Sequence, residues 1–181
     1  QTERFEAALA SLLGVPHVVA TCSCTAALHL ALASLESDGR NEVIVPSLTF
    51  AATIQAVLMA GYKPVFAEVE PETLNLDCID VAGLLGPQTR AILPVHFAGQ
   101  PCDLERLRQL AAQFDVAVVA DAAHAFGSTY REAAIGGQGA ATCFSFSSNK
   151  NISSGEGGAL ATGSDELAAG ARQLRFLGIS Q

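Results

Sequence analysis

Short apolar runs rich in β-branched residues alternate along the chain with segments in which apolar residues recur at helical spacing. This alternation is typical of a mostly parallel sheet that is covered by helices on both faces. We therefore predict an α/β fold with three α/β/α layers around a mostly parallel mixed sheet. The predicted strands are 17–21, 42–45, 64–68, 91–95, 116–120, 142–146 and 158–162. The predicted helices are 4–13, 25–35, 51–60, 78–85, 104–114 and 165–176.

The composition is that of one well-packed domain. Half of the 181 residues are hydrophobic and 15% are charged, which is enough apolar chain for a sizeable core. No linker, repeat or low-complexity block divides the sequence, so residues 1–181 are predicted to form a single domain. Ser164 is predicted to cap the last helix, because serine binds free helix amides and two acidic residues follow it.

Charge and hydropathy argue against two classes of partner. The net charge is −8 and no basic run is interleaved with aromatic residues, so nucleic acid is not expected to bind. No apolar run reaches the roughly 18 residues that span a membrane, so no membrane association is expected. Five cysteines without CxxC spacing, and no signal peptide at the start, indicate reduced thiols and a cytoplasmic location.

Polar residues that follow the predicted strands form one candidate site, because ligands of such sheets gather at the carboxyl ends of the strands. Thr25 lies in a segment of small residues that opens a helix, where free amides and a hydroxyl can bind phosphate. The same residues also suit an ordinary Ser/Thr helix cap. Asp121 ends an apolar run, and His124 follows three residues later, so the two side chains can face one cavity. A capping carboxylate and a structural histidine are the alternative for this pair.

Lys150 stands between a short apolar run and a Ser/Gly-rich loop, where a lysine has no evident structural role. A lysine amine forms Schiff bases with carbonyl compounds, pyridoxal 5′-phosphate (PLP) among them. A solvated surface lysine is the other interpretation. A strand-end threonine, a strand-end aspartate and a loop lysine together suggest the phosphate anchor, ring partner and Schiff-base amine of a PLP site.

Other kinds of site are not indicated by the sequence. Histidines and cysteines show no zinc-ligand spacing, so we predict no metal site. No cysteine has an evident activating context; a Cys/His nucleophile pair is the alternative interpretation of these residues. The glycines at 155–158 match neither GxGxxG nor a Walker A motif, which disfavours a hydride-transfer enzyme or a P-loop nucleotidase.

The sequence resembles the DegT/DnrJ/StrS nucleotide-sugar aminotransferases, which are fold-type I PLP enzymes. The likeness runs through nearly all 181 residues, and so many ordered matches are hard to obtain by chance. The matching segments are 5–17, 21–32, 42–53, 63–66, 75–76, 94–101, 121–124, 144–158 and 174–178.

The resemblance implies a role for each candidate residue. Lys150 would be the Schiff-base lysine and would also shuttle a proton between substrate and cofactor carbons. Asp121 would bond the pyridine nitrogen, and His124 would lie near the ring hydroxyl. Phe50 would stack on the ring. The phosphate cradle would comprise the side chains of Thr25 and Ser145 and the amides around Cys24 and Thr25.

Two positions depart from the family pattern. Cys24 replaces a small residue, often glycine, and its side chain could crowd the phosphate. Ala120 replaces an acidic residue, with no expected effect on the chemistry. The keto-sugar dehydratases of the same group carry histidine in place of the lysine, so Lys150 favours transamination.

The implied activity is transfer of an amino group, with glutamate as the expected donor, to a keto group of a nucleotide-linked deoxysugar by a homodimeric enzyme. Similar enzymes are roughly twice as long. We therefore expect this chain to lack an N-terminal segment and the smaller C-terminal domain. A non-catalytic domain that serves only as a folded or interacting unit is the competing hypothesis.

Overall fold

The computed structural model describes residues 1–179, which form six helices and nine strands. The helices are α1 (Thr2–Leu13), α2 (Cys24–Ala33), α3 (Ala51–Met59), α4 (Cys78–Leu84), α5 (Leu104–Gln113) and α6 (Asp165–Arg175). The strands are β1 (His17–Thr21), β2 (Glu42–Pro46), β3 (Lys63–Ala67), β4 (Thr89–Ile92), β5 (Ala117–Asp121), β6 (Thr129–Tyr130), β7 (Ala133–Ala134), β8 (Ala141–Ser145) and β9 (Gly158–Thr162). One 3-10 turn, Phe97–Gly99, follows β4.

Seven strands form the central sheet in the order β1-β9-β8-β5-β4-β2-β3. The pairs among β8, β5, β4, β2 and β3 are parallel, whereas β9 runs antiparallel to both β1 and β8. The sheet is therefore mixed and mostly parallel, which confirms the predicted fold class. Because β9 is reversed, its first residue lies at the same edge as the last residues of β1 and β8.

Helices cover both faces of this sheet. Helices α2, α3 and α6 pack on one face, and α1, α4 and α5 pack on the other. Successive residues of β2 show why both faces are apolar: Val43 and Val45 point into the first layer, while Ile44 points into the second. A strand that is buried on both faces has a continuous apolar sequence. The alternation of its side chains is then not visible in the sequence, but the apolar run still identifies it as a strand.

The observed elements differ from the predicted ones mainly at their ends. Strand β4 ends at Ile92 rather than at residue 95, because Pro94 has no amide hydrogen to donate to a ladder. The Pro94 carbonyl still accepts from the amide of Asp121 at 2.8 Å, so the chain stays beside β5. The hairpin of β6 and β7 was not predicted. The expected cap is present, since Ser164 Oγ accepts from the amide of Leu167 at 3.1 Å.

All five cysteines are free thiols, and only Cys22 is exposed. Across residues 1–179, none of the helices has the length and apolar character that crossing a bilayer requires. Within the same residues, histidine, cysteine and acidic side chains form no group of three or more that could hold a metal ion.

Candidate active site

A cavity of about 390 Å³ opens at the edge of the sheet where β1, β5 and β8 end and β9 begins. The strand register brings these ends together, because Gly158 pairs with both Thr21 and Ser145. Seven residues singled out from the sequence line this cavity: Cys24, Thr25, Phe50, Asp121, His124, Ser145 and Lys150.

The start of α2 presents unpaired amides to this cavity. Ser23 caps the helix, with its Oγ accepting from the amide of Ala26 at 3.1 Å. Within residues 1–179, the amides of Cys24 and Thr25 have no acceptor from the chain. Two free amides at a helix start, beside the Thr25 hydroxyl, form a site that suits an anion.

Gly158 allows this helix start to lie against the sheet. A β-carbon at position 158 would clash with the carbonyl group of Ser23 and would lie 2.6 Å from the amide nitrogen of Cys24. Only a residue without a side chain fits beneath this peptide. The position of the two free amides therefore depends on a glycine that is far away in sequence.

Asp121 is buried at the end of β5, with 6% of its surface exposed. Its Oδ1 accepts from the amide of Ala123 at 3.0 Å and lies 3.8 Å from the thiol of Cys24. Its Oδ2 accepts from the hydroxyl of Thr53 at 2.9 Å. These donors hold the carboxylate in one orientation, and none of them is a cation.

Cys24 lies in the wall of the cavity behind Asp121. Burial raises the pKa of its thiol well above the usual value, and the nearby Asp121 carboxylate raises it further. The thiol is therefore protonated at neutral pH, so Cys24 acts as a weak hydrogen-bond donor and not as a nucleophile.

Lys150 lies in the loop that joins β8 to β9 and is half-buried at the cavity wall. The side chain of the next residue, Asn151, donates to the carbonyls of His124 and Phe126, both at 3.2 Å. These bonds tie the loop to the segment that follows Asp121. In the described part of the chain, no carboxylate lies within ion-pair distance of the Lys150 amine.

His124 and Phe50 line other parts of the cavity wall. Burial lowers the pKa of His124, and the charge of Lys150 lowers it further, so the imidazole is uncharged at neutral pH. Phe50 is the residue before α3, and 80% of its surface is exposed. A ring this exposed has almost no packing role in the described fold, which leaves its face available to a bound molecule.

Several lining residues were not identified from the sequence: Thr49, Thr53, Phe97, Ser147 and Asn149. Of these, Thr53 donates a hydrogen bond to Asp121 at 2.9 Å, yet the two residues are 68 positions apart. A weak signal does exist, because Thr49 and Thr53 are four residues apart around the start of a helix and share one face.

The cavity thus combines three chemical functions within one space. It offers amides for an anion, a buried carboxylate for a protonated nitrogen, and a primary amine for a carbonyl group. A flat exposed aromatic ring stands at its mouth. Such a set suits a molecule with a phosphate, a planar nitrogen-containing ring and an aldehyde.

Comparison with known proteins gives an independent result. The model of the DegT/DnrJ/EryC1/StrS aminotransferase family matches residues 1–181. The GDP-perosamine synthase of Caulobacter vibrioides is 43% identical over 175 residues, which cover 97% of this chain and 47% of that protein. The chain spans about half the length of the curated relatives it matches.

Solved structures of similar proteins share the fold of this chain. DesI, solved in the presence of its TDP-sugar product, has a TM-score of 0.92 and 41% identity, over 98% of this chain and 45% of that one. NtdA of Bacillus subtilis, solved with bound cofactor PMP, has a TM-score of 0.89 and 34% identity, over 97% of this chain and 40% of that one.

Proposed function

The chain belongs to the DegT/DnrJ/EryC1/StrS aminotransferase family, and from this membership we propose that the protein is a PLP-dependent aminotransferase acting on a nucleotide-linked keto sugar. The observation that carries the proposal is the meeting of Lys150, Asp121 and the free amides of α2 around one cavity. In the proposed reaction, an amino group passes from glutamate to a keto group of a deoxysugar.

The cavity suits the cofactor that aminotransferases of this family use, pyridoxal 5′-phosphate. When bound, it supplies a carbonyl that forms Schiff bases with amines and a ring that takes up the electron pair left by a breaking C–H bond. The amides of Cys24 and Thr25 bind its phosphate, together with the hydroxyls of Thr25 and Ser145. Phe50 stacks on the ring and excludes water from one face.

Asp121 holds a proton on the ring nitrogen. Its carboxylate is buried and is bonded only to neutral donors, so its negative charge is available to a cationic partner. A protonated nitrogen makes the ring a better electron acceptor, which is the requirement for breaking the substrate C–H bond. His124 is uncharged, so it would orient the ring through its hydroxyl without competing for Asp121.

Lys150 supplies the amine and moves the proton. Its Nζ would hold the cofactor through the carbonyl carbon and, as a free amine, would take up the proton of the substrate carbon and give it back. Asn151 anchors the loop through the carbonyls of His124 and Phe126, which keeps Lys150 at the cavity wall.

The substrate class follows from the relatives and is part of the proposal. One relative is named for GDP-perosamine, and one solved structure holds a TDP-sugar product, so the shared feature is a sugar linked to a nucleoside diphosphate.

We propose that residues 1–181 form one cofactor-binding domain and that the protein works as a cytoplasmic homodimer. The exposed apolar side chains of Leu48 and Phe50 support a homodimer, and the free cysteines support a reducing compartment.

The chain contains two lysines, which makes a direct test possible. The test titrates the purified protein with PLP, reduces it with borohydride and maps the modified peptide. We expect an adduct on Lys150 and none on Lys63, which is exposed and paired with Glu42 at 2.9 Å. Lys150→Ala should abolish the adduct and the turnover of a keto-sugar nucleotide with glutamate, whereas Lys63→Ala should retain both. An adduct on Lys63 alone, or full turnover by Lys150→Ala, would overturn the assignment.

A further inference from the structure

We propose that Thr53 is a positioning residue that aims the Asp121 carboxylate, so that Oδ2 is the oxygen that receives the ring nitrogen of the cofactor. The inference rests on the proposed function for the identity of that nitrogen. The orientation of Asp121 itself rests only on contacts within the described chain.

The donors around Asp121 differ between its two oxygens. Oδ1 receives the amide of Ala123 and faces the thiol of Cys24, whereas Oδ2 receives only the hydroxyl of Thr53. A carboxylate has about four sites for donors, two on each oxygen. The single hydrogen of the Cys24 thiol is shared between Oδ1 at 3.8 Å and the carbonyl of Cys143 at 3.4 Å, but the sulfur still occupies the second side of Oδ1, so the side left open to a further donor is on Oδ2.

Thr53 is well placed to hold Oδ2 because it is itself immobile. It is 1% exposed within α3, and its Oγ1 lies 2.9 Å from Oδ2. Threonine has few side-chain rotamers in a helix, so burial fixes the direction in which its hydroxyl points. Asp121 belongs to β5, and the bond to Thr53 thus ties the end of the sheet to a helix on one face.

The direction of the hydrogen bonds follows from counting hydrogens. A hydroxyl has one hydrogen, and Thr53 gives its hydrogen to the carboxylate, which in its charged form can only accept. The 2.8 Å contact between the hydroxyls of Thr49 and Thr53 must then have Thr49 as donor. Thr49 lines the cavity, so a chain of two hydroxyls runs from the cavity wall to Oδ2. Bonds in such a chain polarise and strengthen each other.

The two linked hydroxyls are important because Asp121 has no cation within ion-pair distance in the described residues. Within residues 1–179, no lysine, arginine or histidine forms an ion pair with Asp121. A buried charge without a counterion must be stabilised by neutral donors. Thr53 stabilises the charge on Oδ2 by donating a hydrogen bond. Without the Thr53 hydroxyl, Oδ2 has no hydrogen-bond donor from the chain to fix its position.

The test compares Thr53→Val, which keeps the shape and loses the hydroxyl, with Thr53→Ser, which keeps the hydroxyl. Thr162→Val is the matched control, because Thr162 is equally buried and donates to the carbonyl of Ala140 away from the cavity. We expect the dissociation constant of PLP to rise roughly tenfold in Thr53→Val, the size expected for one hydrogen bond to a charged group. Thr53→Ser and Thr162→Val should bind within about threefold of the natural protein.

Crystal structures of the cofactor-free variants give a second readout. We expect the Asp121 carboxylate to leave its position in Thr53→Val and to keep it in Thr53→Ser. Tight PLP binding by Thr53→Val with an unmoved carboxylate would overturn the inference. If the natural protein forms no adduct at Lys150, the proposed function fails, whereas the position of Asp121 still decides the role of Thr53. Thr53→Ala, which cannot overpack, replaces Thr53→Val if that variant does not fold.

Discussion

Gly158 lies directly beneath the amide of Cys24, and a β-carbon at position 158 would stand 2.6 Å from that nitrogen. The contact joins the first residue of β9 to the first residue of α2, two elements that the sequence separates widely. A substitution at Gly158 in the sheet can therefore displace the free amides of α2 without replacing any residue that is proposed to bind a ligand.

Gly158→Ala is expected to push the Ser23–Cys24 peptide out of place. Hydrogen bonds to a charged acceptor are worth about 1.5–3 kcal/mol each, so PLP affinity should fall roughly tenfold or more. Overpacking should also lower the free energy of unfolding by about 1–3 kcal/mol. Fluorescence titration with PLP and urea unfolding measure the two effects. Gly163→Ala is the control, because no atom lies within 4 Å of a β-carbon there; equal results for both variants would refute the argument.

Phe50→Ala should weaken cofactor binding without destabilising the fold. The side chain is 80% exposed, so the free energy of unfolding should change by less than about 0.5 kcal/mol. Loss of stacking, worth about 0.5–1.5 kcal/mol, should raise the PLP dissociation constant roughly two- to tenfold. Phe66→Ala, at an exposed position of the edge strand β3, should leave that constant unchanged. A large stability loss in Phe50→Ala would show that the ring packs in the fold after all.

Stability should decline in acid because of His96. Burial lowers the pKa of this histidine to about 4, whereas an unfolded histidine titrates near 6.5. Between these values the unfolded chain binds the extra proton, so the free energy of unfolding falls as pH is lowered from about 6.5 to about 4. The contribution of His96 to this loss is of the order of 3 kcal/mol and is complete below pH 4.

His96→Asn isolates that contribution. The asparagine oxygen can replace Nδ1 as the acceptor for the amide of Cys102, a bond of 3.1 Å in the natural protein. Other groups, His124 among them, titrate alike in both proteins, so the difference between the two stability curves reports His96. Parallel curves between pH 4 and pH 7 in urea unfolding would rule the effect out.

Glu132→Gly should stabilise the hairpin of β6 and β7. The two residues that join these strands, Arg131 and Glu132, have φ angles of 49° and 69°. Glycine adopts positive φ without the steric cost that a side chain brings, so the gain should be about 0.5–1 kcal/mol. Glu132→Ala keeps the β-carbon and should give no gain. Thermal unfolding distinguishes the two variants.

The sequence predicted the type of each major element but not every end. Apolar runs and the helical spacing of apolar residues are visible in the sequence without knowledge of distant contacts. For this reason β2 and α5 are found where they were expected. The end of β4 was predicted three residues too late, because the chain continues beside β5 past the point where Pro94 ends the regular ladder. The small hairpin was missed because Arg131 and Glu132 are not turn residues, and their strained backbone has no sequence signal.

The candidate site was predictable where a residue follows a strand and hidden where it depends on packing. Asp121 and Ser145 end strands, and Lys150 stands in a loop beside one, so each carries a local signal. Thr53 lies in the first turn of α3 and contacts Asp121, which is 68 residues away in the sequence. The close approach of Gly158 to Cys24 is hidden for the same reason, because it exists only once the sheet has formed.

The lysine loop leaves the sheet at Ser145 and returns at Gly158, two residues that face each other across the β8–β9 ladder. Its ends are therefore fixed side by side whatever lies between them. The buried ring of Phe146 and the two bonds of Asn151 fix the segment between those ends as well. The reach of the Lys150 amine is therefore set by the same sheet edge that places Asp121 at the end of β5.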